Sequence, residues 1–340
     1  MNKRIVLFCC IITMFAVSLF GANPTVTVVG YETENGKAIA WTDGEKKVLS
    51  GLPDEVKSFS VYSGKIYAAG FTEFKDNITP CYAVDGVKQA LELATDDEYR
   101  VYGYVEEILV SQGIVYARGI QGLAIPDAGP AYVPSVWGDG KNVAVNINVF
   151  DPMSQSAKSF AVYNKNIYLL MYSSDMNGGD DGYPYYVLNK KETKLSGSGA
   201  VATAITVSSG KVYVAGRYKK AGYNRACFWA DGKQVDLPGG TASRATSIYV
   251  AQGKVYVSGY YYDKANKACY WENGVLKELA GGTLPGAVDD AAVLPIAVNN
   301  GKVYIAGSYY EGKNKKACYW VDGKRVDLPG GVKAVAIGVE

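Results

Sequence analysis

The sequence predicts an all-β chain folded as a seven-bladed β-propeller, and three observations carry that prediction. A short Gly-bounded strand recurs along the chain, all five tryptophans fall in one column of the repeat, and the chain begins and ends in mid-repeat. Internal periods of about 40 to 50 residues, each with four short strands, are the propeller range.

The recurring strand is clearest as Gly210-Lys-Val-Tyr-Val-Ala-Gly216, Gly253-Lys-Val-Tyr-Val-Ser-Gly259 and Gly301-Lys-Val-Tyr-Ile-Ala-Gly307. Earlier copies run Gly64-Lys-Ile-Tyr-Ala-Ala-Gly70 and Gly113-Ile-Val-Tyr-Ala-Arg-Gly119, with a worn copy at Lys165-Asn-Ile-Tyr-Leu-Leu-Met171. Each is followed by an aromatic strand and a tight turn, which align Trp41, Ala83, Trp137, Val187, Trp229, Trp271 and Trp320. Steps of 42, 54, 50, 42, 42 and 49 residues separate them.

One regular unit supplies strand a at 245–251, b at 254–259, c at 268–272 and d at 275–279. Alternation is plain in b, where Val255 and Val257 face one way and Tyr256 and Ser258 the other. Between c and d stands Asp-Gly or Asn-Gly in six of seven units, Asn189-Lys190 being the exception. Such pairs favour two-residue hairpins because both residues tolerate positive φ. The first strand, 25–30, is of type b with no a before it. The last, 333–339, is of type a with no b after it. Pairing the two would complete a seventh blade and remove the open sheet edges.

The N-terminus reads as an export signal over residues 1–22. Lys3 and Arg4 precede an apolar run from Ile5 to Phe20 that ends at Gly21-Ala22. That run of 16 residues is shorter than the roughly 18 of a membrane span. Large Leu19 and Phe20 near the cleavage point keep an uncleaved anchor as the alternative, although almost no linker would separate it from the first strand. The expectation is an exported, monomeric propeller over 23–340, secreted, periplasmic or at the cell surface, with no membrane span once processed.

The full chain carries 35 basic and 33 acidic residues, and loss of Lys3 and Arg4 leaves 33 of each. A neutral chain lacks the basic footprint of a nucleic-acid binder. No histidine is present, which removes Ser-His-Asp and Cys-His catalysis and histidine-bound zinc. Carboxylate chemistry on a glycan survives as an alternative function. No catalytic residue stands out.

Cys81, Cys227, Cys269 and Cys318 each lie two residues before the tryptophan column, in four different units. Equivalent positions in neighbouring blades are about 10 Å apart, beyond the ~7 Å that a disulfide spans. Buried free thiols are therefore expected.

Residues 200–340 carry a longer pattern: Cys227-Phe228-Trp229, Asp231-Gly232, Asp236-Leu237, Gly239-Gly240, Ser243 and Ala245, Ile248, then 253–259. This resembles the extracellular HAF repeat family, with Arg225-Ala226-Cys227 and Lys316-Ala317-Cys318 in place of the His-Ala-Phe triplet. The resemblance covers the last three units well and the first four poorly. It implies a secreted bacterial repeat protein of propeller type, with no catalytic residues to transfer.

In a propeller the a–b and c–d turns share one face, and the b–c and d–a connections share the other. All the long segments, 94–104, 120–135, 149–156, 172–185 and 280–291, belong to the second kind, and four of the five cluster around blades 2 to 4. Loops on a rigid scaffold carry function, so this variable face is the expected binding surface. Its acidic and aromatic residues make the candidate site: Asp96, Asp97, Tyr102, Tyr132, Asp180, Asp181 and Tyr183 in the long segments, with Tyr260, Tyr261, Tyr309 and Tyr310 in regular b–c loops. Tyrosine offers contact area with a polar tip, suited to a protein or glycan partner. A structural envelope protein with no small ligand is a further alternative.

No cofactor is expected, with one qualification. Asp175, Asn177, Asp180 and Asp181 on a Gly-rich run could supply oxygens to Ca²⁺. The run lacks the alternation and closing Glu of an EF-hand, so a solvated acidic loop is the default expectation.

Overall fold

The structure, a computed structural model, describes residues 24–34, 36–74, 77–93, 100–125, 129–143, 157–173, 182–284 and 294–340. These residues form seven four-stranded antiparallel sheets arranged as the blades of a propeller. Blade 1 is built from both ends of the chain, in the order Lys333–Val339, Val26–Tyr31, Ala38–Thr42 and Glu45–Val48. Blade 2 follows over 55–90, blade 3 over 100–143, blade 4 over 159–194, blade 5 over 201–236, blade 6 over 242–284 and blade 7 over 296–327.

The expected closure is present. Val339 pairs with Val26 and Lys333 with Tyr31, and Thr25 and Glu340 exchange backbone hydrogen bonds of 2.9 and 3.1 Å.

The repeat residues have separate jobs. All five tryptophans are fully buried, and each indole N–H donates to a carbonyl in or just after the last strand of the preceding blade. The acceptors of Trp41, Trp137, Trp229, Trp271 and Trp320 are Pro329, Glu92, Ser196, Pro238 and Ala280, at 2.6–3.1 Å. The tryptophan column is thus a row of clasps between blades. Blades 2 and 4, with Ala83 and Val187, lack the clasp.

In the c–d turns, Asp43, Asp85, Asp139, Asp231, Asn273 and Asp322 all have positive φ, and so do the glycines after them. Each side-chain Oδ1 also accepts from a backbone N–H near the start of strand b in its own blade, at 2.9–3.1 Å. The turn residue therefore ties strand d's hairpin to strand b.

The glycine that ends each sequence repeat answers a steric demand. In blade 6 the register between strands a and b shifts between Ala245 and Ser247, a β-bulge at Thr246. Gly259 lies opposite Ala245, and a Cβ there would stand 2.1 Å from the Arg244 carbonyl oxygen. Equivalent bulges occur at Val335, Lys57, Glu106 and Thr203 in blades 1, 2, 3 and 5. Blade 4 begins its strand a later, at Ser159, and there Met171 replaces the glycine.

Cys81, Cys227, Cys269 and Cys318 are free and buried, as expected. Each pairs across to the strand-b glycine of its own blade, Gly70, Gly216, Gly259 or Gly307. Burial raises all four thiols above their ordinary range, so thiolate, the reactive form, is scarce at neutral pH. An alkylating reagent should leave them untouched in the folded chain of residues 23–340 and label four after unfolding. Mass spectrometry showing two labels would mean a disulfide.

Candidate functional site

Strand a of each blade lines the axis of the ring, and in five blades the bulge turns one residue toward it, with Lys158 at the matching place just before strand a of blade 4. Lys57, Glu106, Lys158, Thr203, Thr246 and Val335 occupy that position in blades 2, 3, 4, 5, 6 and 1, and all border one axial cavity of about 660 Å³. They lie near the beginning of strand a, at the end reached from the d–a connection. The cavity therefore opens on the variable face.

Its charge is uneven. The Thr and Val positions of blades 5, 6 and 1 are neutral, with Lys333 the one charged lining residue of those blades, whereas blades 2 and 3 add Glu55, Glu107 and Arg118 to the charged residues Lys57, Glu106 and Lys158 of blades 2 to 4. Arg118 occupies a strand-b position filled by Ala69, Ala215, Ser258 and Ala306 elsewhere, and its side chain is only 5% exposed. Its guanidinium donates to Glu106 at 2.5 Å, to Glu107 at 3.2 Å and to the Ala157 carbonyl of the next blade's approach at 2.8 Å. The Ser159 hydroxyl of blade 4 donates to Glu107 at 2.9 Å. Burial pushes the Glu107 carboxyl above the usual range, against the opposing pull of Arg118. Lys57 pairs with Glu55.

This network spans the joint between blades 3 and 4, one of the two that lack a tryptophan clasp. At the other, between blades 1 and 2, Tyr31 meets Phe59 edge-on with centroids 6.1 Å apart, and the Gly64 N–H donates to the Glu340 carboxylate.

The tyrosines expected in regular b–c loops are placed differently. Strand b of blade 6 runs on as Lys254–Asp263 and strand c starts at Ala265, so Tyr260 and Tyr261 are strand residues. In blade 7, Lys302–Glu311 likewise contains Tyr309 and Tyr310. Tyr260, Tyr261 and Tyr309 are buried. The hydroxyl of Tyr261 donates to Glu278, and Arg325 lies 3.7 Å above the Tyr309 ring. Tyr310 is half-buried opposite Lys315. Cross-strand pairing continues beyond the repeat glycine and absorbs what the sequence suggests are loops.

Segment 120–135 is corrected in the same way. It belongs largely to a hairpin of two long strands, Ile114–Ile125 and Gly129–Gly138, with Tyr132 opposite Gly122. Tyr102 is half-buried, its ring so close over Gly122 that a Cβ there would come within 2.4 Å. Tyr183 opens strand c of blade 4, with the Lys194 ammonium 3.6 Å above its ring. Asp96, Asp97, Asp180 and Asp181 lie outside the described residues, as do the Asp175–Asp181 calcium candidate and the export signal. Among the described residues no helix is long and apolar enough to cross a membrane.

No protein-family model matches the chain, and no curated protein matches it in sequence. Similarity lies in solved structures. Pyrococcus horikoshii acylaminoacyl peptidase superposes with a TM-score of 0.51 at 14% identity, over 86% of this chain and 47% of that one. The chain thus spans about half the length of that peptidase, and the likeness is one of fold alone. The β-propeller domain of the Trilobed protease from Pyrococcus furiosus, at 14% identity, covers 78% of this chain and 79% of that one with a TM-score of 0.47. TolB from Acinetobacter baumannii, at 12% identity, covers 92% and 82% with a TM-score of 0.43.

Proposed function

We propose that the chain is an exported binding protein that takes a protein or glycan partner on its variable face, around the axial cavity. One observation carries this reading. The cavity opens on the face that bears the long connections, and its charge is concentrated on the blades where most of those connections cluster. Closed repeat scaffolds repeat their walls, so a one-sided departure marks the side that meets a ligand. Binding is favoured over hydrolysis because Glu106 and Glu107 share Arg118 and Glu55 is paired with Lys57. A glycosidase needs two carboxyls set apart as acid and base or nucleophile.

The test is partner capture from envelope protein and on a glycan array, using the exported chain and its Lys158→Glu variant. Lys158 is exposed and borders the cavity, so charge reversal there leaves the fold intact. Capture should drop about tenfold or more, the ~1.4 kcal/mol expected of one misplaced charge at a contact. Undiminished capture by the variant, with loss on substitutions at the opposite face of a–b and c–d turns, would sink the reading.

A further inference from the structure

Two further cavities open on the same face, and they are copies of one another. The first, of about 460 Å³ in blade 5, is bordered by Tyr218, Arg225, Asp236 and the run Leu237-Pro238-Gly239. The second, of about 440 Å³ in blade 7, is bordered by Tyr309, Lys316, Asp327 and Leu328-Pro329-Gly330. The tyrosine stands two residues after the repeat glycine, the cation four before the tryptophan, and the aspartate four after the turn glycine in both blades. We infer that these paired clefts are saccharide sites, each taking one or two sugar units of a polymer through its hydroxyls.

The chemistry follows from what the two clefts share and what they do not. Lys220 and Arg225 stand against Asp236 in blade 5, two basic residues and one acidic. In blade 7, Glu32, Asp327 and Lys316 line the cleft, and the two acids are held by Lys46 at 2.6 Å and by Arg325 at 2.8 Å. The common elements are an aspartate acceptor, a cationic donor, a tyrosine hydroxyl and a Pro-Gly backbone corner. That set of adjacent donors and acceptors is what neighbouring hydroxyls of a neutral sugar require.

Geometry holds the acceptor ready. The Tyr218 hydroxyl donates to Asp236 Oδ2 at 2.7 Å and Gln234 to Oδ1 at 2.7 Å, which keeps the carboxyl ionised, below its ordinary range. A carboxylate has about four acceptor positions, and the Asp236 and Asp327 side chains are 54% and 58% exposed. Each therefore keeps acceptor capacity turned to solvent. Both volumes lie within the range of small-molecule sites. Two sites fixed on one rigid ring would gain avidity for a repeating polymer without any new contact.

Blade 6 supplies an internal control. Its Tyr261, Lys267 and Glu278 occupy the same columns, but the chain after Glu278 shifts register and resumes pairing with strand c, Thr283 opposite Lys267. Lys267 is engaged there by Asp263 and Glu278, at 3.5 and 3.7 Å, much as Lys316 is by Glu311, so the difference lies in the returning chain. The chain fills its own cleft.

The inference rests on the reading that the variable face binds. It is tested by saturation-transfer NMR on the exported chain with glucose, galactose, mannose, N-acetylglucosamine and xylose. At least one sugar should show transfer, reduced to about half in Asp236→Asn and in Asp327→Asn, as two independent sites require. The double variant should lose it, and Glu278→Gln should retain it. Asparagine keeps an acceptor for the tyrosine, and an unchanged melting temperature verifies the fold. No transfer from any of the five sugars, or full transfer in the double variant, overturns the saccharide sites. If partner capture still depends on Lys158 in that event, the variable-face reading stands and only the clefts fall.

Discussion

Removal of residues 333–340 should abolish cooperative unfolding of the ring. This strand forms the inner edge of blade 1, pairs along the whole of Val26–Tyr31, and buries Ala334 and Ala336 against its neighbours. Without it the first blade keeps three strands, and its strand b becomes an open edge of unpaired N–H and C=O groups. The truncated chain should show a broad thermal transition, a lower urea m-value and a tendency to associate through the bare edge. A sharp transition at the parent temperature would show that the ring is held by something other than this pairing.

Arg118→Ala is expected to be the most damaging single substitution among the charged residues of the axis. The guanidinium is nearly enclosed and serves two carboxylates and a carbonyl. Its loss leaves Glu106 and Glu107 side by side without a counter-charge. Breaking such a pair costs about 3–5 kcal/mol, and the lower end applies because Glu107 can take up a proton. The direction with pH follows from that proton. Glu107 has a raised pKa when folded, so its favourable contribution is present below the unfolded value and disappears as pH rises through the folded one. Removing Arg118 raises the folded value further. Denaturant titration should therefore find a smaller deficit at pH 5 than at pH 7.5. An equal deficit at both would mean that lost packing, not stranded charge, is the cause.

The architecture was legible because the residues that build it recur at fixed offsets. The tryptophan clasps, the Asp-Gly turns and the strand-b glycines each repeat an identity that a single sequence can reveal. The free thiols followed from the same columns. The axial site was not legible, for a physical reason. Strand a carries the bulge, and an extra residue breaks the period-two alternation from which facing is inferred. One signal was available: Arg118 stands in a column otherwise filled by small or aliphatic residues, Val29, Ala69, Leu170, Ala215, Ser258 and Ala306. Tyr260, Tyr261 and Tyr309 were misplaced because the repeat glycine looks like the end of a strand. It marks instead a close approach to the bulged neighbour, and the strand continues past it.

The bulge also separates two kinds of inheritance. A residue in a ladder is answerable to its partners on both sides, so changing it disturbs the sheet. The bulged residue is opposed by no partner in the strand a–b register; its side chain borders the axial space, where Thr203 and Thr246 also donate to carbonyls of the wall and Glu106 pairs with Arg118. Lysine, glutamate, threonine and valine all occupy this position in one ring. Drift or selection can thus rewrite the lining of the bore one blade at a time, like changing the stops on an instrument whose frame is left alone. A ring assembled from duplicated blades would keep its form while this inner circle acquired a different chemistry in each descendant.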